Sequence, residues 1–136
     1  MEVSINGKKS VFVSQFDPHK KSNNGWEKQN QDHFKFIFLN GTKVFVKRFE
    51  GEKKIIPGYQ YLMKTLNKRI PNLPMIYDLV STTEDGKIVC YLFQEALEGN
   101  TMQEFIQKGI LNFSPIKFAK HLYLALESIT KNGFWF

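Results

Sequence analysis

His33-Phe-Lys-Phe-Ile-Phe-Leu39 and Thr42-Lys-Val-Phe-Val-Lys-Arg-Phe49 stand on either side of Asn40-Gly41. Both runs are rich in aromatic and β-branched residues, and an Asn-Gly pair between such runs makes a tight hairpin, because both central residues of that turn take positive φ. Alternation along the second strand puts Lys43, Phe45, Lys47 and Phe49 on one face and Val44, Val46 and Arg48 on the other. Lys47 therefore emerges beside two phenylalanines, an unusual setting for a lysine that only meets water.

Upstream, Ser10–Phe16 alternates and reads as a strand. Asp17–Gln31 is polar, holds Pro18 and Asn23-Asn24-Gly25, and reads as a long loop. Downstream, Tyr59, Leu62, Met63, Leu66 and Ile70 follow the spacing of a buried helical stripe, so a helix is predicted over Gly58–Arg69, opened by Pro57 and ended by Pro71. Met75–Thr82 and Lys87–Gln94 read as strands around the turn Thr83-Glu-Asp-Gly86. Thr101-Met-Gln-Glu104 has the capping-box pattern of a helix start, with Gly109 placed to end that helix. Ser114-Pro115 opens a longer helix with the apolar stripe Phe118, Leu122, Ala125, Leu126 and Ile129, closed by Asn132-Gly133. The predicted order is β, β, β, α, β, β, α, α.

The chain has 136 residues, 42% hydrophobic and 15% aromatic, which suits one folded domain, or one lobe and part of another. Its single cysteine, Cys90, lies in an apolar strand and reads as a packing residue. Met1–Lys9 has no apolar signal core, and no run approaches the ~20 residues of a membrane span. A soluble, cytoplasmic protein is expected, with no membrane partner. His19, His33 and His121 lack metal-ligand spacing, so no metal site is expected. The net charge is +6, and residues 1–70 carry 14 Lys+Arg against 6 Asp+Glu. Those lysines are scattered and no Arg-rich run or nucleic-acid motif accompanies them, so the excess reads as a solvated surface and nucleic acid is not an expected partner.

The element order and four motifs together resemble the protein kinase fold over residues 10–136. Val44-Phe-Val-Lys47 is similar to the Val-Ala-Ile-Lys motif of the third kinase strand. Ile70-Pro-Asn-Leu73, followed by Ile76-Tyr-Asp-Leu79, resembles the His-Pro-Asn-Ile segment after helix C and the fourth strand. Tyr91–Thr101 resembles the fifth strand, gatekeeper, hinge and start of helix D, and Leu122–Phe136 resembles helix E. The resemblance implies an α+β fold: an antiparallel five-stranded amino-terminal lobe with helix C over residues 1–94, a hinge at 95–100, and helices D and E of a second lobe over 101–136. It implies that Lys47 holds the α- and β-phosphates of ATP, that Gln94 is the gatekeeper, and that the Glu95 carbonyl and Leu97 amide receive the adenine.

The departures bear on function. The Gly-x-Gly-x-x-Gly loop is expected between the first two strands, but residues 17–33 hold only Gly25; Lys20, Lys21, Asn23 or Asn24 would have to serve instead. Glycines are needed there because the backbone must approach the phosphates with no Cβ between. The helix C glutamate that partners the lysine is replaced by Gln60 or Tyr61. Phe45 stands where kinases have a small alanine against adenine. By register Phe136 falls at or just before the His of His-Arg-Asp, so no catalytic residue is expected within these 136, and magnesium would bind only with the segment that follows. Two function classes result: part of an ATP-binding Ser/Thr-type protein kinase, or a pseudokinase or interaction scaffold with weak or absent ATP binding. A small-molecule phosphotransferase is a more distant reading, since Leu97-Glu-Gly-Asn-Thr101 leans toward protein kinases. Helix 115–131 is expected to expose an apolar face to a protein partner or a second copy.

Overall fold

The computed structural model describes residues 1–20, 23–29, 32–98, 107 and 114–131. They fall into two units, one of Met1–Lys68 with Met75–Ala96 and one of Arg69–Pro74 with Leu97–Phe136. No helix among the described residues is long and apolar enough to cross a membrane.

The first unit is built on an antiparallel five-stranded sheet. Its strands are β3 (Glu27–Gln29), β4 (Asp32–Leu39), β5 (Thr42–Glu50), β6 (Ile76–Glu84) and β7 (Lys87–Glu95), in the order β3-β4-β5-β7-β6. The predicted hairpin joins β4 to β5, with φ of 50° at Asn40 and 78° at Gly41. Open space surrounds Gly41, so its requirement for glycine is one of backbone conformation and not of room. Asp85-Gly86 makes the same kind of turn between β6 and β7, with φ of 49° and 76°. Between β5 and β6 runs α1 (Tyr59–Thr65). It is shorter than the predicted Gly58–Arg69 because Leu66 is extended (ψ 127°) and Asn67 left-handed (φ 58°).

The amino-terminal reading needs correction. The predicted strand Ser10–Phe16 is instead β2 (Lys8–Val11), paired with β1 (Glu2–Ile5) in a separate two-stranded sheet. The pair turns at Asn6-Gly7, both with positive φ. The loop 17–31 holds the short strand β3, which becomes the first strand of the larger sheet. This arrangement has a packing cause. Val3, Ile5, Phe12 and Trp26 are all at most 5% exposed and cover Val44, Val46, Val89, Tyr91 and Phe93. Phe12 meets Tyr91 and Phe93 edge-on, with centroids 5.4 and 5.1 Å away. The Trp26 indole donates to the Ser14 carbonyl at 2.9 Å. Tertiary burial thus decides the amino terminus over local alternation.

The opposite face of the sheet carries α1. Ile56 and Leu62 pack with Ile76, Leu79, Cys90 and Leu92. Cys90 is fully buried, as expected of a packing residue, with its thiol donating to the Gly51 carbonyl at 3.1 Å. An irregularity between Ile76 and Asp78 in the β6–β7 ladder lets Ile76 join this face and Tyr77 the other.

In the second unit α2 spans Pro115–Lys131, agreeing with the predicted 115–131 helix. The predicted helix at 101–109, apart from helical Gln107, and the Asn132-Gly133 stop lie outside the described residues.

Tyr91 gives this core a pH signature. Burial, with help from the Glu84 carboxylate that accepts its hydroxyl, pushes the phenol up to about 12. A raised phenol binds its proton more tightly in the folded chain. The corresponding stability is present below pH ~10 and is lost as pH rises toward ~12, by about 2–3 kcal/mol. Urea unfolding from neutral pH upward should fall more steeply for the parent than for Tyr91→Phe, the lysines titrating alike in both. Parallel curves would contradict this.

Candidate functional site

Alternation along β5 buries Val44, Val46 and Arg48 and leaves Lys43, Phe45 and Lys47 on the α1 side. The hairpin register sets Phe38 opposite Lys43, Phe36 opposite Phe45, and Phe34 opposite Lys47. On the other edge of β5, Gln94 lies opposite Phe45 and Leu92 opposite Lys47. Directly opposed residues share a face. Phe45, Lys47 and Gln94 are thus together on one face, between β4 and β7.

Aromatic rings dominate this face. Phe45 has Phe36 at 4.9 Å and Phe34 at 5.4 Å between centroids, both tilted. The Lys47 ammonium sits 5.6 Å from the Phe45 centroid, within reach of a cation–π contact. Among the described residues no carboxylate lies within ion-pair distance of Lys47. Helix α1 carries no acid to supply one, its Gln60 being exposed and Tyr61 half-buried.

The other sequence-predicted positions are less convergent. Glu95 pairs with Val44, on the opposite face from Lys47. Its amide donates to the Met75 carbonyl at 2.8 Å and its carboxylate accepts the Met75 amide at 3.2 Å. Leu97 belongs to the second unit and is exposed. The link between the first two strands of the sheet is Asn30-Gln31, outside the described residues and without glycine. Lys20, Asn23 and Asn24 precede β3 and so are not in that link, a correction to their expected place; Lys21 is also outside the described residues.

Phe34 and Phe36 were not among the residues expected at the site. Counting outward from Asn40-Gly41 would have found them, since a two-residue turn fixes which residues face each other.

The buried face holds a second polar constellation. Arg48 is 6% exposed and bonds Glu84 at 3.1 Å and Glu50 at 3.3 Å. Its guanidinium carbon lies 3.7 Å from the Phe16 centroid. Burial disfavours its charge, but hydrogen bonds with Tyr91 and Glu84 outweigh that and raise its pKa. The Tyr91 oxygen also accepts from the Ser14 hydroxyl at 2.6 Å. A cavity of about 350 Å³ opens beside Arg48, lined also by Phe16, Glu50, Glu84 and Lys87. Among the described residues no group of three His, Cys, Asp or Glu is arranged to hold a metal ion.

Comparison with protein-family models, with curated proteins and with solved structures finds no match to this chain.

Proposed function

We propose that this chain is a protein-kinase-like amino-terminal lobe whose nucleotide face is filled by phenylalanine, and that it works as a pseudokinase-type interaction module. The α+β element order supports the kinase-like reading, with one helix between the third and fourth strands of an antiparallel five-stranded sheet. One observation carries the non-catalytic reading. Phe45, in the adenine-facing position of the motif, is packed against Phe34 and Phe36 beside a Lys47 that no carboxylate among the described residues holds. A triphosphate needs aligned donors and an oriented lysine, whereas this face offers rings and an unanchored ammonium.

Thermal unfolding with and without magnesium and ATP tests the reading. ATP at about 100 times a given Kd stabilises by about 2.7 kcal/mol, equivalent to a shift of some 4–8 °C per kcal/mol for a domain of ~60–100 residues. The expected shift is under about one degree. A shift of many degrees, dependent on magnesium, would return the chain to the active-kinase class.

The proposed contact surface is α2. Phe118, Leu122 and Leu126 recur at four-residue spacing and are 42, 48 and 38% exposed, while Ala125 and Ile129 are half-buried. A stripe of this kind marks an association surface, and a second copy is the occupant proposed. Sedimentation should show mass rising with concentration for the parent. Leu122→Glu with Leu126→Glu should stay monomeric at unchanged helix content. A parent that remains monomeric at high concentration would contradict the proposal.

A further inference from the structure

We infer that the α1-side face of the β4–β5 hairpin binds single-stranded nucleic acid, bases stacking on its phenyl rings and phosphates meeting its lysines. The inference goes beyond the kinase-like reading and does not need it, and it departs from the sequence expectation of no nucleic-acid partner because the hairpin sets lysines beside exposed rings. Phe36 and Phe38 remain 50% and 71% exposed, although rings of this size normally find cover. They sit two residues apart on one strand, about 7 Å along it, and so offer two successive platforms. Each has a cross-strand neighbour on the same face, Phe45 for Phe36 and Lys43 for Phe38. The Lys43 ammonium is 5.2 Å from the Phe36 centroid, and Lys47 is 5.6 Å from that of Phe45.

Rings interleaved with lysines on an open sheet face are the combination that takes unpaired bases, because every base has a stackable π-face and every nucleotide a charge. A duplex hides those faces. The filled nucleotide seat is no obstacle here, since stacking on a platform needs no cleft.

Charge also gives the strand a direction. The register places Glu27 opposite Phe34, and alternation adds Asp32, so at the β3 end of the face Lys47 shares its surroundings with two acids. The hairpin end is basic. It carries Lys43, and its other residues on this face, Phe36, Phe38 and Phe45, are uncharged. A polyanion is therefore drawn to the Phe36–Phe38 end.

Fluorescence anisotropy with a labelled single strand of about 12 nucleotides and its duplex, using the full chain, tests the inference. Saturable binding of the single strand is expected, weakening as salt rises and exceeding that of the duplex. Phe38→Ala should reduce affinity about tenfold, Lys43→Gln should weaken it and flatten the salt dependence, and Phe38→Trp should retain it. Phe38 is exposed, so these variants should fold, with circular dichroism as the check. Absence of single-strand binding would overturn the inference. So would equal binding of the duplex with no effect of Phe38→Ala, since that is the attraction of any basic chain for a polyanion.

Discussion

Replacing Arg48 with alanine is expected to cost about 3–5 kcal/mol, since removing one partner of a buried ion pair leaves the other uncompensated. Arg48 is 6% exposed and serves Glu84, Glu50 and the ring of Phe16 together. Its loss would leave Glu84, itself only 24% exposed, beside the buried Tyr91 hydroxyl without a cation. Small domains have about 5–15 kcal/mol in all, so Arg48→Ala should be largely unfolded at moderate temperature or melt some tens of degrees lower. Arg48→Met with Glu84→Gln should recover much of the loss, because the double change removes the charge along with its counter-charge. Urea unfolding of the three chains checks this. A drop of under about 1 kcal/mol for Arg48→Ala, the range of an exposed pair, would show that the network contributes little.

Phe45→Ala is expected to change ligand binding more than any other single substitution on the sheet. Its ring fills space between Phe36 and Phe34 and beside Gln94. Overpacking typically costs ~1–3 kcal/mol, so removing the ring should strengthen adenine-nucleotide binding by roughly 5- to 150-fold. Truncating a half-buried Phe also removes packing, and its stability should fall by about 1–3 kcal/mol. The substitution thus moves the two properties in opposite directions. Lys47→Met beside it separates the causes: a gain that survives in Phe45→Ala/Lys47→Met comes from space, and a gain that vanishes comes from the ammonium.

The sheet's central part was legible because its signals are local. Asn40-Gly41 and Asp85-Gly86 each impose positive φ, and the alternation beside them names the buried face. The place of Lys47 between phenylalanines follows from those rules alone. Asn6-Gly7 carries the same turn signal, yet only four residues flank it on each side, and its strands exist because Val3 and Ile5 find Phe12 and the sheet beneath them. Glu27–Gln29 has no strand-like composition at all and pairs because β4 presents a free edge. Helix α1 ends early because Asn67 is left-handed, which the continuing stripe through Leu66 and Ile70 conceals. The burial of Arg48 was hidden for a similar reason: alternation assigned its face, but its acidic partner Glu84 is 36 residues away.

We propose a kinase-like sheet whose aromatic-filled face does not hold ATP. Calorimetric titration of the parent chain with ATP, with and without magnesium and beside Phe45→Ala, tests it most directly. The predicted result is no saturation by the parent at micromolar nucleotide, a weak response indifferent to magnesium, and a clear gain on loss of the Phe45 ring. Micromolar, magnesium-dependent binding by the parent would contradict it.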